Sequence, residues 1–208
     1  MIFPSAGLQL RGPKLALMRL LVIEDEIRLA GRAEKVVAVD ISTAMMDKLQ
    51  ARAAAAGLDN VEARCEPLES LELPAASVDV VVTNYALHHL LDRDKEQFVR
   101  HAATWLRPGG RLVIGDMMIG RRLSAEDRQI ISGKVKVLIR RGPGGWWRVA
   151  KNAWRLYTRT VERPLSAEAW TEMLCRAGFE DVRSERVVSE AAVVCGTRPG
   201  FGDIDPSL

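Results

Sequence analysis

The sequence predicts an α/β protein built on a mostly parallel sheet, and three observations support this prediction. Compact runs rich in valine and isoleucine, such as KVVAVD (35–40) and SVDVVVTN (77–84), are typical of buried strands. Segments with helical spacing of apolar residues alternate with these runs, which favours a parallel sheet. Near the end, FEDVRSERVVSEAAVVCGTRP (179–199) indicates two strands joined by a turn near 188–190, an antiparallel unit at one edge.

The first half of the chain supplies strands and helices in turn. LLVIEDE (20–26) is predicted as the first strand and KVVAVD (35–40) as the second. Ser42 is predicted to cap a helix that Gly57 ends. The helix carries apolar residues at helical spacing, namely Met45, Leu49, Ala53 and Ala56. NVEARC (60–65) is predicted as a short third strand.

The second half continues the alternation after the strand at 77–84. DKEQFVRHAATWLR (94–107) is predicted as an amphipathic helix, with Phe98, Ala102, Trp105 and Leu106 facing inward. PGG (108–110) is predicted to turn the chain into another buried strand, RLVIGDMM (111–118). SAEAWTEMLCRAG (166–178) has a complete set of helix signals, because Ser166 can cap its start and Gly178 follows its end.

Composition and charge indicate one ordinary domain with a localised basic region. The chain has 208 residues, of which 48% are apolar and 27% charged, and its formal net charge is only +3. Residues 117–163 contain twelve Lys and Arg against three acids, so this stretch carries +9 and the rest of the chain −6. We interpret residues 119–163 as two basic helices joined at RRGPGGWW (140–147), inserted between two strands.

The cysteines and the first residues of the chain indicate the cellular compartment that we expect for the protein. Cys65, Cys175 and Cys195 are odd in number and widely spaced, with no CxxC, so neither a disulfide framework nor a metal site is predicted. Reduced thiols in a cytoplasmic protein are expected instead. The apolar stretch LALMRLLVIEDE (15–26) is interrupted by Arg19 and closed by acids, so we predict neither export nor a membrane span.

Four motifs, taken in order, resemble a known family. VVAVDIS (36–42), SVDVVVTNYALHHL (77–90), FVRHAATWLRPGGRLVIGD (98–116) and AGFEDV (177–182) are together similar to class I S-adenosylmethionine-dependent methyltransferases. The resemblance extends from about residue 35 to 199. It implies a Rossmann-like three-layer αβα sandwich, with a seven-stranded, mostly parallel sheet and a C-terminal antiparallel hairpin. It also implies S-adenosylmethionine as cofactor.

The resemblance divides the chain and assigns residues to the adenosine end of the cofactor. Residues 35–208 form the methyltransferase-like domain, and residues 1–34 an atypical segment that holds the remnant of the first strand and motif. Asp40 is expected to bind the ribose hydroxyls, although a carboxylate serving the following helix N-terminus is the alternative. Ile41 would cover the adenine or fill the core. Glu66 would contact the adenine amino group or be a solvated loop charge.

The resemblance also assigns residues to the reacting end. Asn84 and Tyr85 follow the fourth strand, where the family places residues around the methionine and methyl group; loop capping is the alternative. His88 and His89 are candidate general bases, because an imidazole titrates near neutrality. One of the two histidines is expected to have a structural role. Asp116 ends the fifth strand and faces the cleft, without an assigned role.

The first motif of the family is absent from this sequence. That motif is a strand, an acid and a loop with glycines at alternate positions, where a β-carbon would block the approach of the backbone to the cofactor. No glycine occurs in 21–30, and the segment after LLVIEDE looks several residues short. MRLLVIEDEIRLAG (18–31) is instead similar to the start of response-regulator receiver domains. A fusion, an altered reading frame and a wrongly chosen start remain open, and impaired cofactor affinity is the hypothesis that follows.

Function is predicted as methyl transfer from S-adenosylmethionine to a small-molecule acceptor. The alternative is a degenerate, non-catalytic module that binds a partner or nucleic acid through the basic insertion. Arginines interleaved with aromatics can bind nucleic acid, an acidic small molecule, an anionic membrane surface or a protein. Trp147, Ala150, Trp154 and Tyr157 lie at helical spacing, however, which also fits a buried stripe. The sequence does not predict an oligomeric state.

Overall fold

The computed structural model describes residues 15–20, 27, 30–118, 163–188 and 191–200. The described strands form one sheet in the order β3-β2-β1-β4-β5-β7-β6. Their bounds are β1 Leu15–Leu20, β2 Lys35–Asp40, β3 Val61–Cys65, β4 Val78–Asn84, β5 Leu106–Met117, β6 Glu180–Val188 and β7 Ala191–Thr197. Strands β1 to β5 pair in parallel, whereas β7 is antiparallel to both β5 and β6. The sequence prediction of a parallel sheet closed by an antiparallel unit is therefore met within these residues.

Three α-helices have both ends within the described residues. They are α1 Thr43–Ala55, α2 Asp92–Trp105 and α3 Ala167–Arg176. Both predicted serine caps are present: the Ser42 hydroxyl accepts the Met45 N–H at 3.4 Å, and the Ser166 hydroxyl accepts the Ala169 N–H at 3.2 Å. Helix α2 begins and ends two residues earlier than its predicted range. Short 3₁₀ turns occupy Leu68–Ser70 and Leu87–His89.

The first strand lies earlier in the chain than the sequence predicted. The prediction placed it at 20–26, but β1 spans Leu15–Leu20 and pairs with β2 on one side and β4 on the other. Part of the segment treated as atypical thus forms an interior strand of the sheet. With β1 ending at Leu20, residues 21–34 connect it to β2, so the interpretation of a shortened segment loses its basis. The division of the chain at residue 34 stays a prediction.

Alternating residues of the strands face two separate apolar layers. Val37 and Val81 belong to the main core with α2 and α3, which contribute Phe98 and Trp170 among others. The opposite face of the sheet carries Val36, Ala38, Val80 and Val82, and there Ala38 packs on Met46 and Leu49 of α1. Helices therefore cover both faces of the sheet. A strand buried on both faces reads as a continuous run of valines, as β2 and β4 do.

The PGG sequence lies inside strand β5 as an irregularity, not before it as a turn. The pairing of β5 with β4 shifts between Val78 and Val80, and the extra residues of β5 fall at this point. Gly109 has φ +77°, which favours glycine. A Cβ on Gly110 would lie 2.8 Å from the Arg107 carbonyl oxygen and 3.0 Å from that of Asp79. Glycine is thus required here for the two strands to approach each other.

The strand order creates a switch point between β1 and β4. From β1 the chain moves outward through β2 to β3, and then returns to place β4 on the other side of β1. In open parallel sheets a crevice forms at the carboxyl ends of the strands where the order reverses. Leu20 of β1 is paired with Asn84 of β4 at this position. The residues that end β1, β2 and β4 are therefore the first place to look for a ligand site.

The predicted basic helices fall almost wholly outside the described residues. The structure describes the chain as far as Met118 and again from Arg163. The proposed apolar stripe of Trp147, Ala150, Trp154 and Tyr157 lies in the part not described, and so does the charged face proposed to bind nucleic acid. Both stay predictions.

Candidate active site

Asp40 ends β2 and turns the chain into helix α1. Its Oδ1 accepts the Ser42 N–H at 2.8 Å, so the carboxylate does serve the helix start, the alternative that the sequence left open. Among the described residues, its Oδ2 has no hydrogen-bond partner, and the residue is half-buried. A carboxylate oxygen accepts more than one hydrogen bond. Asp40 can therefore hold the turn and still offer acceptor sites to a ligand.

Ile41 follows Asp40 and is exposed to solvent. It is 64% exposed, and among the described residues it is the one exposed large hydrophobic side chain. The alternative of a core isoleucine is therefore wrong. An apolar side chain beside a carboxylate at the end of a strand offers a surface on which a flat heterocycle can pack.

Glu66 lies one residue beyond β3, next to the Asp40 turn. Cys65, the last residue of β3, is paired with Asp40 in the sheet register. Its thiol lies 3.7 Å from the Ile41 carbonyl oxygen and 3.4 Å from the Thr43 hydroxyl, which ties the two strand ends together. Glu66 is half-buried, and among the described residues it forms no hydrogen bond or ion pair. Its position next to Asp40 is compatible with binding the same ligand. No hydrogen bond or ion pair with a described residue fixes the orientation of the Glu66 side chain.

Asn84 ends β4 at the switch point with an unusual side chain environment. It is fully buried, and neither its Nδ2 nor its Oδ1 has a hydrogen-bond partner among the described residues. Its sheet neighbours are Leu20 of β1 and Gly115 of β5, and Gly115 has no side chain to bond it. Burying an amide without partners costs about 1–3 kcal/mol, so such a group calls for an explanation. Loop capping, the alternative left open by the sequence, does not explain it.

Tyr85 leaves the strand in a strained conformation. Its φ is +50°, in the left-handed region that residues other than glycine rarely adopt, and its N–H donates to the Gly115 carbonyl at 2.8 Å. Its ring makes an edge contact with the His88 ring, at 6.4 Å between centroids. Strain of this kind concentrates at functional sites, because surrounding structure must hold it in place.

His88 is buried and paired with Asp116, a partnership that the sequence did not reveal. His88 Nδ1 lies 2.5 Å from Asp116 Oδ1, and the His88 N–H donates to Asp116 Oδ2 at 2.8 Å. Asp116 is 1% exposed, and its Oδ1 also accepts the Met117 N–H at 2.7 Å. The carboxylate therefore fixes both the ring and the backbone of His88. Because Nδ1 faces Asp116, Nε2 is the ring nitrogen that the carboxylate does not engage.

His89 differs from its neighbour in its exposure. Its side chain is exposed, and its ring lies against that of His88 with centroids 4.1 Å apart. Both histidines belong to the 3₁₀ turn that follows Tyr85, so they stand beside the carboxyl ends of β4 and β5. Of the two predicted histidines, His88 is held within the protein and His89 is accessible from outside.

Comparison with known proteins agrees with this architecture. Residues 25–110 match the model of a family described as "Methyltransferase domain". The match begins at residue 25, beyond β1, and so includes residues 25–34 of the segment that the sequence analysis treated as atypical. Over this stretch the chain is similar to the methyltransferase domain family, in agreement with the resemblance that the sequence motifs indicated. The cofactor of this family, S-adenosylmethionine, is the one that the sequence indicated.

Two curated methyltransferases illustrate the relationship. The chain is 36% identical over 109 residues to an arsenite methyltransferase of Aquipseudomonas alcaligenes, covering 49% of this chain and 31% of the relative. It is 37% identical over 99 residues to the 27-O-demethylrifamycin SV methyltransferase of Amycolatopsis mediterranei, covering 46% of this chain and 35% of the relative. The chain thus spans about a third of the length of these two relatives.

A solved methyltransferase structure extends the likeness to the fold of nearly the whole chain. It is the 1,6-didemethyltoxoflavin-N1-methyltransferase of Burkholderia thailandensis, with bound 1,6-didemethyltoxoflavin and S-adenosylhomocysteine. The TM-score is 0.62 at 18% identity, over 91% of this chain and 72% of that one. The Rossmann-like fold predicted from the methyltransferase motifs is thereby confirmed.

The described residues fit the family's cofactor on one side of the crevice. Asp40 offers an acceptor, Ile41 an apolar surface and Asn84 an unsatisfied amide, and β1 alone separates the ends of their strands. With strands about 4.8 Å apart, Asp40 and Asn84 stand about 10 Å from each other across the sheet. On the other side, no glycine occurs from Leu15 to Ala30, where the methyltransferase motif requires bare backbone.

Two further properties concern only the part of the chain that the structure describes. There, no three His, Cys, Asp or Glu side chains come together in a way that could hold a metal ion. No helix in the same residues has the length and apolar character needed to span a membrane.

Proposed function

We propose that this methyltransferase domain binds S-adenosylmethionine along the carboxyl ends of β2 and β4 and transfers its methyl group to a small-molecule acceptor. The strongest support for this proposal is the environment of the Asn84 side chain. The fully buried amide of Asn84, without a partner among the described residues, stands at the switch point of the sheet. A polar ligand in the crevice would satisfy it.

The adenosine half of the cofactor belongs with the end of β2. The Oδ2 of Asp40 would accept hydrogen bonds from the ribose hydroxyls, while Oδ1 accepts the Ser42 N–H and stabilises the turn. The exposed side chain of Ile41 would cover one face of the adenine. Glu66, beyond the adjacent strand, would accept a hydrogen bond from the adenine amino group.

The methionine half belongs with the end of β4. The Asn84 amide offers an acceptor to the amino group of the methionine and a donor to its carboxylate. Tyr85, with its strained backbone, is the next residue along this wall of the crevice. When bound, the cofactor would supply a methyl group on a positively charged sulfur: an acceptor lone pair would form a bond to the methyl carbon as the bond from carbon to sulfur breaks, leaving S-adenosylhomocysteine. The chain contributes alignment of the acceptor and exclusion of water.

The lack of glycine after β1 should weaken this binding without removing it. The residues that directly follow β1, Leu21, Val22 and Ile23, all carry a β-carbon. Where the family motif has glycine, a β-carbon would keep the backbone farther from the cofactor. The side chains at the ends of β2 and β4 that are proposed to bind the cofactor lie elsewhere in the sequence, so they are present whether or not this segment contains glycine. We therefore expect S-adenosylmethionine to bind with a dissociation constant on the order of 100 μM or weaker, about 5 kcal/mol of binding free energy.

Proton removal from the acceptor is assigned to the histidine pair. His89 is exposed beside the end of β4, where an acceptor hydroxyl or amine could reach its ring. His88, held by Asp116, packs against that ring and fixes its position. His89 is thus proposed as the general base and His88 as its support.

The class of acceptor and the compartment are proposals of the same kind. The names of both curated relatives and of the solved structure specify small molecules, which supports a small-molecule acceptor here. The cysteines Cys65, Cys175 and Cys195 are free thiols, which supports a reducing compartment such as the cytoplasm.

Release of S-adenosylhomocysteine tests the transfer step. The chain is incubated with millimolar S-adenosylmethionine and a panel of phenols, alcohols and primary amines. At least one acceptor should increase release above the acceptor-free rate. His89→Ala should lower this increase by about 10² or more, because a general base contributes about 10²–10⁴. His101→Ala, a histidine on α2 away from the strand ends, is the control and should leave the rate unchanged. No acceptor-dependent release across the panel, or equal rates in the two variants, would contradict the assignment.

A further inference from the structure

Lys95 is a charged residue buried in the main core. Its side chain is 0% exposed, although Asp92, Arg93 and Glu96 around it on α2 are exposed. It precedes Phe98 and Val99 by three and four residues, so it lies on the apolar face of the helix. Burying an ammonium group costs desolvation free energy unless hydrogen-bond acceptors surround it. The acceptors around Lys95 Nζ therefore need to be identified.

The partners of Lys95 tie α2 to a distant part of the chain. Its Nζ donates to Asp92 Oδ1 at 3.0 Å, within the same helix. It also donates to the backbone carbonyl of Arg163, 68 positions later in sequence. Arg163 is where the described chain resumes before α3. The buried cation therefore satisfies a backbone acceptor that no strand or helix would satisfy.

The same residue, Arg163, contacts the histidine turn through its other backbone group. The Arg163 N–H donates to the His88 carbonyl at 2.6 Å. His88 is in turn fixed by Asp116 through both its ring and its N–H. A continuous path of hydrogen bonds thus runs from Lys95 through the Arg163 backbone to the turn at Leu87–His89, which carries both candidate catalytic histidines.

We propose that Lys95 is a positioning residue for the proposed methyl transfer. By holding the Arg163 carbonyl, it fixes the Arg163 N–H against His88 and so sets the orientation of the His88 and His89 rings. It acts on the acceptor side of the site and leaves the Asp40 side unchanged. This inference rests on the proposed function for its catalytic consequence, but the positioning itself is measurable without turnover.

The first test measures the histidine turn in the full chain without any ligand. In Lys95→Met, hydrogen exchange at the Arg163 amide should accelerate about tenfold or more, because its bond to His88 is no longer supported from the other side. The ¹⁵N and ¹H resonances of the His88 and His89 rings should shift. Lys48→Met removes an exposed lysine on α1 and should change neither quantity. Lys95→Arg, which keeps a cation, should restore part of the protection.

The second test separates the two sides of the site. In Lys95→Met, acceptor-dependent release of S-adenosylhomocysteine should fall about tenfold or more, while titration with S-adenosylhomocysteine should give an affinity within about twofold of the unsubstituted chain. If Lys95→Met does not fold, Lys95→Gln is measured in its place; because its neutral, shorter side chain is a weaker donor, the losses should be in the same direction and smaller.

Either arm can overturn the inference. A folded Lys95 variant with unchanged Arg163 exchange and unchanged ring resonances would show that Lys95 does not position the turn. An equal loss of S-adenosylhomocysteine affinity would show a general structural effect instead. Failure of the proposed function itself gives a different result: the unsubstituted chain then shows no acceptor-dependent release, while the exchange and resonance measurements still decide the role of Lys95.

Discussion

Replacement of Asp116 by alanine is expected to lower the free energy of unfolding by about 3–5 kcal/mol, because it removes three buried hydrogen bonds to the carboxylate. The carboxylate is 1% exposed and accepts from His88 Nδ1 and from the N–H groups of His88 and Met117. Alanine would leave those two N–H groups buried and unpaired. Urea unfolding followed by circular dichroism measures the change as a lower midpoint.

Two further variants make this prediction specific. Asp116→Asn keeps a carbonyl oxygen as an acceptor and should cost about 1–2 kcal/mol, less than alanine. Asp59→Ala removes an exposed carboxylate beyond α1 and should stay within about 0.5 kcal/mol of the unsubstituted protein. If Asp116→Ala matched Asp59→Ala, the pair with His88 would have no role in stabilising the histidine turn.

Replacement of Asp40 by alanine should lower the affinity for S-adenosylhomocysteine by about a hundredfold. Hydrogen bonds to a charged acceptor contribute about 1.5–3 kcal/mol each, and two ribose hydroxyls share this carboxylate in the proposed site. From an initial dissociation constant on the order of 100 μM, the loss would put binding beyond detection by isothermal titration calorimetry.

Asp40 also accepts the Ser42 N–H, so Asp40→Ala could lower ligand affinity simply by disturbing the turn. A second variant is needed to separate the two effects. Asp40→Asn keeps an oxygen for Ser42 and removes the charge; we expect it to fold normally and to lose about tenfold in affinity. Asp47→Ala, an exposed carboxylate on α1, controls for net charge and should bind normally. Equal affinities for Asp40→Ala and Asp47→Ala would place the ligand elsewhere.

Much of the fold could be predicted from the sequence, because local patterns and burial agree there. Strand β2 has the predicted bounds, and Ser42 and Ser166 cap the helices that they were expected to cap. The first strand could not be placed correctly. LALMRL (15–20) and LLVIEDE (20–26) are adjacent apolar runs with similar strand character, and only pairing with β2 and β4 selects the earlier one.

For the candidate site, the sequence could predict which residues lie at the strand ends but not which residues form hydrogen bonds with them. Asp40, Ile41, Asn84 and the two histidines follow strands that end at one edge of a parallel sheet, and the motifs resembling the methyltransferase family assign them. Other features depend on contacts between residues distant in sequence, which no local pattern encodes. Among them are the pairing of His88 with Asp116, 28 positions apart, and the isolation of the Asn84 amide.

Lys95 shows the same limit in another form. Its spacing from Phe98 and Val99 places a lysine on an apolar stripe, and this conflict was visible in the sequence. A long lysine stem commonly resolves such a conflict by carrying its charge out to solvent. In this protein the charge stays buried, because the Arg163 carbonyl and Asp92 accept from it.

We propose that the cofactor site lies along the ends of β2 and β4 despite the missing glycines. Titration of ¹⁵N-labelled protein with S-adenosylhomocysteine up to several millimolar, followed by two-dimensional NMR, tests it most directly. We predict saturable shifts of the Asp40, Ile41 and Tyr85 amides and of the Asn84 side chain amide. The fitted dissociation constant should be on the order of 100 μM or weaker. A spectrum unchanged at the highest concentration, or shifts confined to residues away from these strand ends, would contradict the claim. Micromolar binding at the predicted residues would support the site and refute the steric effect assigned to the missing glycines.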